Sequence, residues 1–150
     1  MIRVQAEDFD SAAEIERLTC GRHGIGGVVS FTGLVRDTAP AGGNSSMTLE
    51  HYPGMTEKAL AEIEAEARAR WPLEDVLIIH RHGRLLPGER IVLVVTASAH
   101  REAAFAACAF LIDWLKTRAP FWKREEQAGE ARWVEAKASD DAAAAAWNKN

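Results

Sequence analysis

The stretch VLIIHRHGRLLPGERIVLVVTASAHREAAFAACAFLIDWLKTRAP, residues 76–120, decides the class of the fold. Its opening VLIIHRH (residues 76–82) and the run IVLVVTA (residues 91–97) are dense in β-branched side chains. Such side chains crowd a helix but pack well on a pleated surface, so both runs read as strands. Pro87-Gly88 between them is a turn signal, and the two strands are expected to pair antiparallel. Residues 99–117 then run at helical length and are apolar almost all round, through Phe105, Cys108, Phe110, Leu111, Ile112, Trp114 and Leu115. A helix with that pattern packs on more than one side, which makes this the expected central core helix. Ala119-Pro120 ends it, because the residue before a proline avoids the helical region.

Working toward the N-terminus, residues 47–52 read as a short strand, and Pro53-Gly54 turns the chain into a helix over about residues 56–70. Leu60, Ile63 and Ala67 form its inner stripe, and Glu64 with Arg68 and Glu66 with Arg70 are surface pairs at i, i+4. Residues 37–46, with Pro40 and Gly42-Gly43, read as a mobile loop, and residues 27–35 as a strand through Val28, Val29, Phe31, Thr32 and Val35. A short strand around Val4 precedes a helix that Asp10 or Ser11 can cap. Ala12, Ile15 and Leu18 mark its apolar face, and Gly21 stops it. Ser11 followed by Glu14 has the form of a capping box.

Toward the C-terminus, residues 121–126 and 132–136 read as two short strands around a turn at Ala128-Gly129, followed by an alanine-rich helix. Residues from about 140 to 150 are expected to fray. The order β-α-β-β-α-β-β-α-β-β-α predicts an α+β fold, with a mainly antiparallel or mixed sheet and packed helices, in one domain spanning residues 1–150.

At 150 residues and 47% hydrophobic content the chain can bury one core. It has no run of 18 uncharged apolar residues, and MIRVQAEDFD carries acids where a signal peptide would be basic and then apolar. The expectation is a soluble, cytoplasmic protein. A net charge of −4 lacks the broad basic footprint of a non-specific nucleic-acid binder. Cys20 and Cys108 lie far apart, with no metal-ligand spacing around them, and His51, His80 and His82 define no metal site with carboxylates. No metal site and no disulfide framework are expected. G-x-G-x-x-G, Walker A, G-x-S-x-G and H-E-x-x-H motifs are all missing from the sequence.

Positive charge is concentrated at three places: Arg36 at a strand end, His100-Arg101 at the start of the core helix, and Lys116, Arg118, Lys123 and Arg124 around its end. A solvated basic face is the commoner reason for such a run, but in an acidic chain it also fits a small anionic ligand. With Ser98 as cap, the first-turn amides of the core helix would attract an anion. From spacing alone His100 and Arg101 read more simply as two exposed first-turn cations of an ordinary capped helix, yet cations there oppose the helix dipole, a local inconsistency that mildly favours function. Lys116 alone is an ordinary last-turn dipole partner. If residues 121–126 are a strand, Lys123 and Arg124 point to opposite faces, and only one can join Lys116 in a pocket. Cys108 reads as packing, and the three histidines are assigned no role.

Five strings identify a likeness: FTGLVRD (residues 31–37), LEHYPGMTEKAL (49–60), HRHGRLLPGE (80–89), SAHREAAF (98–105) and LKTRAPFWKRE (115–125). In these the chain resembles the MoaE family, the large catalytic subunits of molybdopterin synthase, in the family's order over residues 27–139. LKTRAPFWKRE is the most specific, since no general structural rule requires it. The resemblance implies an α/β-hammerhead-like fold and a sulfurtransferase of molybdenum cofactor biosynthesis. Such an enzyme converts cyclic pyranopterin monophosphate (precursor Z) to molybdopterin by inserting two sulfurs as a dithiolene. The sulfurs arrive as thiocarboxylates on the C-terminal Gly-Gly of a small ubiquitin-like subunit, and a homodimer of the large chain forms the centre of a heterotetramer.

Carried over by resemblance, the site is Arg36, His100, Arg101, Lys116 and Lys123, with Leu34, Val35, Arg124 and Glu125 adjoining. Lys116 and Lys123 would be catalytic; Arg36 and Arg101 would hold phosphate, and His100 would orient it. The family often has lysine where this chain has Leu34. It often has arginine where this chain has Lys137, which keeps the charge but loses the bidentate fork, so the role of Lys137 stays open. The resemblance implies no metal and no resident cofactor. Two other classes are a non-catalytic docking module for a ubiquitin-like partner and a different anion-using enzyme on the same scaffold.

Overall fold

The computed structural model describes residues 1–38, 45–127, 129–135 and 137–149. In chain order the elements are β1 (Ile2–Gln5), α1 (Ser11–Thr19), β2 (Gly27–Leu34), β3 (Ser45–His51), α2 (Met55–Arg70), β4 (Asp75–Arg81), β5 (Gly83–Leu85), β6 (Arg90–Ser98), α3 (Arg101–Thr117), β7 (Phe121–Gln127), β8 (Glu130–Val134) and α4 (Ala138–Ala146). A 3₁₀ turn, Trp147–Lys149, follows α4. Pro40, Gly42 and Gly43 of the expected loop, Ala128 of the expected turn, and Ala136 lie outside the described residues. Ser45 and Ser46, read as loop, open β3.

The α+β class holds, but the strands form two sheets. The first has the order β1-β4-β6-β2 and the second β5-β3-β7-β8. β4 and β6 pair antiparallel as expected, with Ile78 opposite Val94, while β1 joins β4 in parallel. Their connection is not a plain hairpin, because it contains β5, which crosses to pair with β3. Gly83, at φ 87°, makes the bend that sends three residues into the other sheet, a conformation that costs other residues strain.

β4 and β6 are apolar without alternation because the first sheet is covered on both faces. On one face Leu60, Ile63 and Ala67 of α2 and Cys108, Phe110, Leu111 and Leu115 of α3 pack on Val76, Ile78 and Val94. On the other, Phe9 and Leu18 pack on Leu77, Ile79, Leu93, Val95 and Ala97. A third cluster, Val35, Met47, Leu49 and Leu85, ties the second sheet to the segment leaving β2. Phe105 departs from the expected all-round burial of α3, since it is 63% exposed.

Two local expectations are corrected, the Ser11–Glu14 capping box and the Ser98 cap. Asp10, not Ser11, caps α1, its Oδ1 accepting from the amides of Ala12 (2.9 Å) and Ala13 (3.1 Å). Glu14 leaves the capping box because it is buried between Arg3 and Arg17, each at 2.5 Å. An Asp10→Ala variant is expected to lose about 1 kcal/mol in urea unfolding, and Ser11→Ala much less; equal losses would contradict this cap. Ser98 does not cap α3. It ends β6, its hydroxyl donates to Pro72 O at 2.8 Å, and His100 occupies the cap position without a side-chain bond.

The C-terminal helix, expected to fray, is tied to the core at its end. The Trp147 indole donates to Asp113 Oδ2 at 2.8 Å, and Arg70 donates to Trp147 O at 2.8 Å. The ring meets Phe110 and Trp71 edge-on. No helix among the described residues is long and apolar enough to cross a membrane.

Candidate active site

Where the two sheets meet, a cleft of about 810 Å³ opens between the end of β2, β3, β7, the last turn of α3 and the start of α4. A bulge at Gly33 and Leu34 shifts the register of β2 against β6. Beyond it the chain is tied to the β5–β6 connection, Val35 N donating to Glu89 O at 2.9 Å and Gly88 N to Val35 O at 2.8 Å. Leu34, Val35 and Arg36 thereby reach the cleft, Val35 as buried wall and Leu34 as exposed apolar rim.

Lys116 enters from α3, anchored by the buried Leu115 beside it. Lys123 and Glu125 share one face of β7, two residues apart, and their side chains pair at 2.8 Å in the cleft. Arg124 points the other way, over the Trp133 ring at 6.0 Å, and does not line the cleft. Strand alternation thus selects Lys123, and Arg124, carried over as adjoining the pocket, lies on the other face of β7. Lys137, the position left open, does line it.

His100 and Arg101 are not brought to this cleft. They lie exposed at the opposite end of α3, and a helix advances about 22 Å from residue 101 to residue 116. Their end of α3 is fixed against the start of β2. A Cβ on Gly26 would sit 2.2 Å from Ala99 O, so only glycine allows that approach.

The cations Arg36, Lys116, Lys123 and Lys137 face three carboxylates, Glu125, Glu135 and Asp140. Asp140 Oδ1 lies 3.5 Å from Lys116 Nζ. Glu135 and Asp140 escaped the sequence reading, for they carry no motif and reach the cleft only through the return of β8 and α4. His80 was also passed over. It stacks on Phe121 at 3.8 Å in the cleft floor, with Nδ1 2.9 Å from Arg81 O. Burial first, then the neighbouring His51 and His82, pushes its imidazole down to about 4, against the bond to Arg81 O, which acts upward.

The folded state therefore prefers neutral His80. Its contribution to stability is present above about pH 6.5 and is lost as pH falls toward 4, because the unfolded chain takes up the proton first. The urea midpoint is expected to drop across that window, and His80→Gln to flatten the drop. An identical slope in the variant would remove His80 as its source.

Neither cysteine lines the cleft. Cys108 is buried, and burial pushes its thiol up to about 11, which leaves no thiolate for chemistry near neutral pH. Among the described residues no cluster of His, Cys, Asp and Glu could hold a metal. The cleft is thus a pocket that gathers four cations beside an apolar wall, suited to bind an anionic ligand.

The family model described as MoaE protein matches residues 4–118. A molybdopterin synthase catalytic subunit of Mesorhizobium japonicum is 56% identical over 151 residues, covering 99% of this chain and 94% of the relative. One from Pseudomonas aeruginosa is 57% identical, covering 99% of both. The solved structure of the molybdopterin biosynthesis MoaE protein from Burkholderia ambifaria superposes with a TM-score of 0.85 at 51% identity, over 100% of this chain and 99% of that one. Matched by the family model over most of its length and by relatives over nearly all of it, this chain belongs to the MoaE protein family.

Proposed function

We propose that this chain is the catalytic subunit of a cytoplasmic molybdopterin synthase, moving sulfur from a partner's C-terminal thiocarboxylate onto cyclic pyranopterin monophosphate. The observation that carries this reading is the convergence of Arg36, Lys116, Lys123 and Lys137 on one cleft of a net acidic chain. The substrate is a cyclic phosphate and the partner's tail ends in an anion, so both require cations. Arg36 presents a planar fork to phosphate oxygens, Lys116 stands nearest the reacting carbon as the group that moves a proton, and Lys123 neutralises developing charge. The partner supplies the sulfur, so the reaction asks neither for a cysteine of this chain nor for a resident cofactor. A variant with Cys20 and Cys108 replaced by alanine is expected to keep its transfer rate, and loss of activity in a folded variant would refute the donor assignment.

His100 and Arg101 can serve one cleft only from a second copy of the chain, which the proposed homodimer within a heterotetramer supplies. A monomeric mass by light scattering, alone and with partner, would remove both from the site. The decisive experiment mixes the purified chain, thiocarboxylated ubiquitin-like partner and the pterin precursor, and assays dithiolene product. Partner binding without product would leave a docking module; neither would point to a different enzyme.

A further inference from the structure

The alanine-rich helix α4 has little of its own to hold it, since Ala144 is its one buried residue, yet it is fastened to α3 at two points. At its far end Trp147 donates to Asp113 on α3 and packs on Phe110. At its near end Asp140 pairs with Lys116, also on α3 and three residues beyond Asp113. The two α3 partners lie one turn apart on the same side of that helix. The near contact differs from an ordinary surface ion pair, worth little by itself, because both of its members line the cleft. Lys123, the cleft lysine of β7, already has its own counterion, Glu125. Lys116 is 54% exposed, so without Asp140 its four-carbon stem would sweep several rotamers.

We propose that Asp140 is the positioning residue of Lys116, and that α4 is a strap, locked into the core by Trp147, that holds Asp140 in place. The proposal rests on the functional reading above, in which Lys116 does the chemistry. Asp140 touches no reacting atom; it fixes where the amine stands when substrate arrives. Misplacing a catalytic group by about 1 Å can cost up to about a hundredfold in rate.

The test is steady-state dithiolene formation by the full chain with its thiocarboxylated partner. Asp140→Asn is expected to lower kcat about tenfold while KM for pterin and partner stays within about twofold, and Asp140→Glu to recover most of the loss. Trp147→Ala, outside the cleft, is expected to lower kcat similarly, and the double variant no further than the worse single one. Asp113→Ala removes the same anchor should Trp147→Ala fail to fold. Wild-type kcat in folded Asp140→Asn, or independent losses that multiply in the double variant, would overturn the proposal. Should the wild-type chain make no product, the functional reading fails, and elastase cleavage of the alanine run then decides the strap. Faster cleavage in Asp140→Asn and Trp147→Ala supports it, and wild-type rates sink it.

Discussion

Lys116→Arg is expected to reduce dithiolene formation by roughly 10²–10⁴-fold, the range that general acid–base groups contribute, while the chain stays folded and still binds its partner. The substitution keeps a positive charge in the last turn of α3, where a cation suits the helix dipole, and keeps helix propensity. It replaces an amine that can exchange a proton with a guanidinium that stays protonated in proteins. Arg36→Ala should behave differently. It deletes a charge-assisted contact worth roughly 1.5–3 kcal/mol, so pterin affinity should fall about tenfold to a hundredfold with a smaller change in kcat. Single-turnover assays with pterin titration separate the two. Wild-type turnover by Lys116→Arg would make Lys116 an electrostatic clamp and end its proposed role in proton transfer.

Phe110→Ala is expected to be the most damaging core substitution, costing about 3–5 kcal/mol out of a total near 5–15 kcal/mol for a domain of this kind. Phe110 is fully buried, with Trp71 at 5.4 Å, Trp147 at 5.6 Å and Trp114 at 6.1 Å from its ring. The Arg70 guanidinium lies over it at 4.9 Å. Removing the ring opens a cavity where α2, α3 and the Trp147 turn meet, and none of these rigid neighbours can easily collapse into it. Urea unfolding should show a lower midpoint at unchanged slope. Phe105→Ala, on the same helix but 63% exposed, should stay within about 0.5 kcal/mol of wild type. Equal losses at the two positions would contradict the packing described for α3.

These two phenylalanines mark where local reading ends. Both lie in one apolar helical stretch, and nothing within a turn of either says which faces a neighbour. The i, i+4 pairs Glu64–Arg68 and Glu66–Arg70, by contrast, were legible and are formed, because a helix brings such residues together whatever surrounds it. The α2 stripe of Leu60, Ile63 and Ala67 was legible for the same reason. The Ser11–Glu14 pattern was equally local but was overridden, since two arginines around Glu14 offer charge-assisted bonds stronger than a reciprocal cap.

The site divides in the same way. Lys116, Lys123 and Arg36 were nameable from motif strings, and strand alternation alone put Lys123 and Arg124 on opposite faces of β7. The sequence by itself thus determined the type and order of nearly every element and the residue kinds available for anion chemistry, because periodicity, turns and alternation act within a few residues. Only the tertiary structure decided that β5 leaves for a second sheet and that Asp140 and His80 belong to the cleft. Those contacts join residues tens of positions apart, through burial and charge pairing that depend on how whole elements pack, and no local pattern in the chain encodes them.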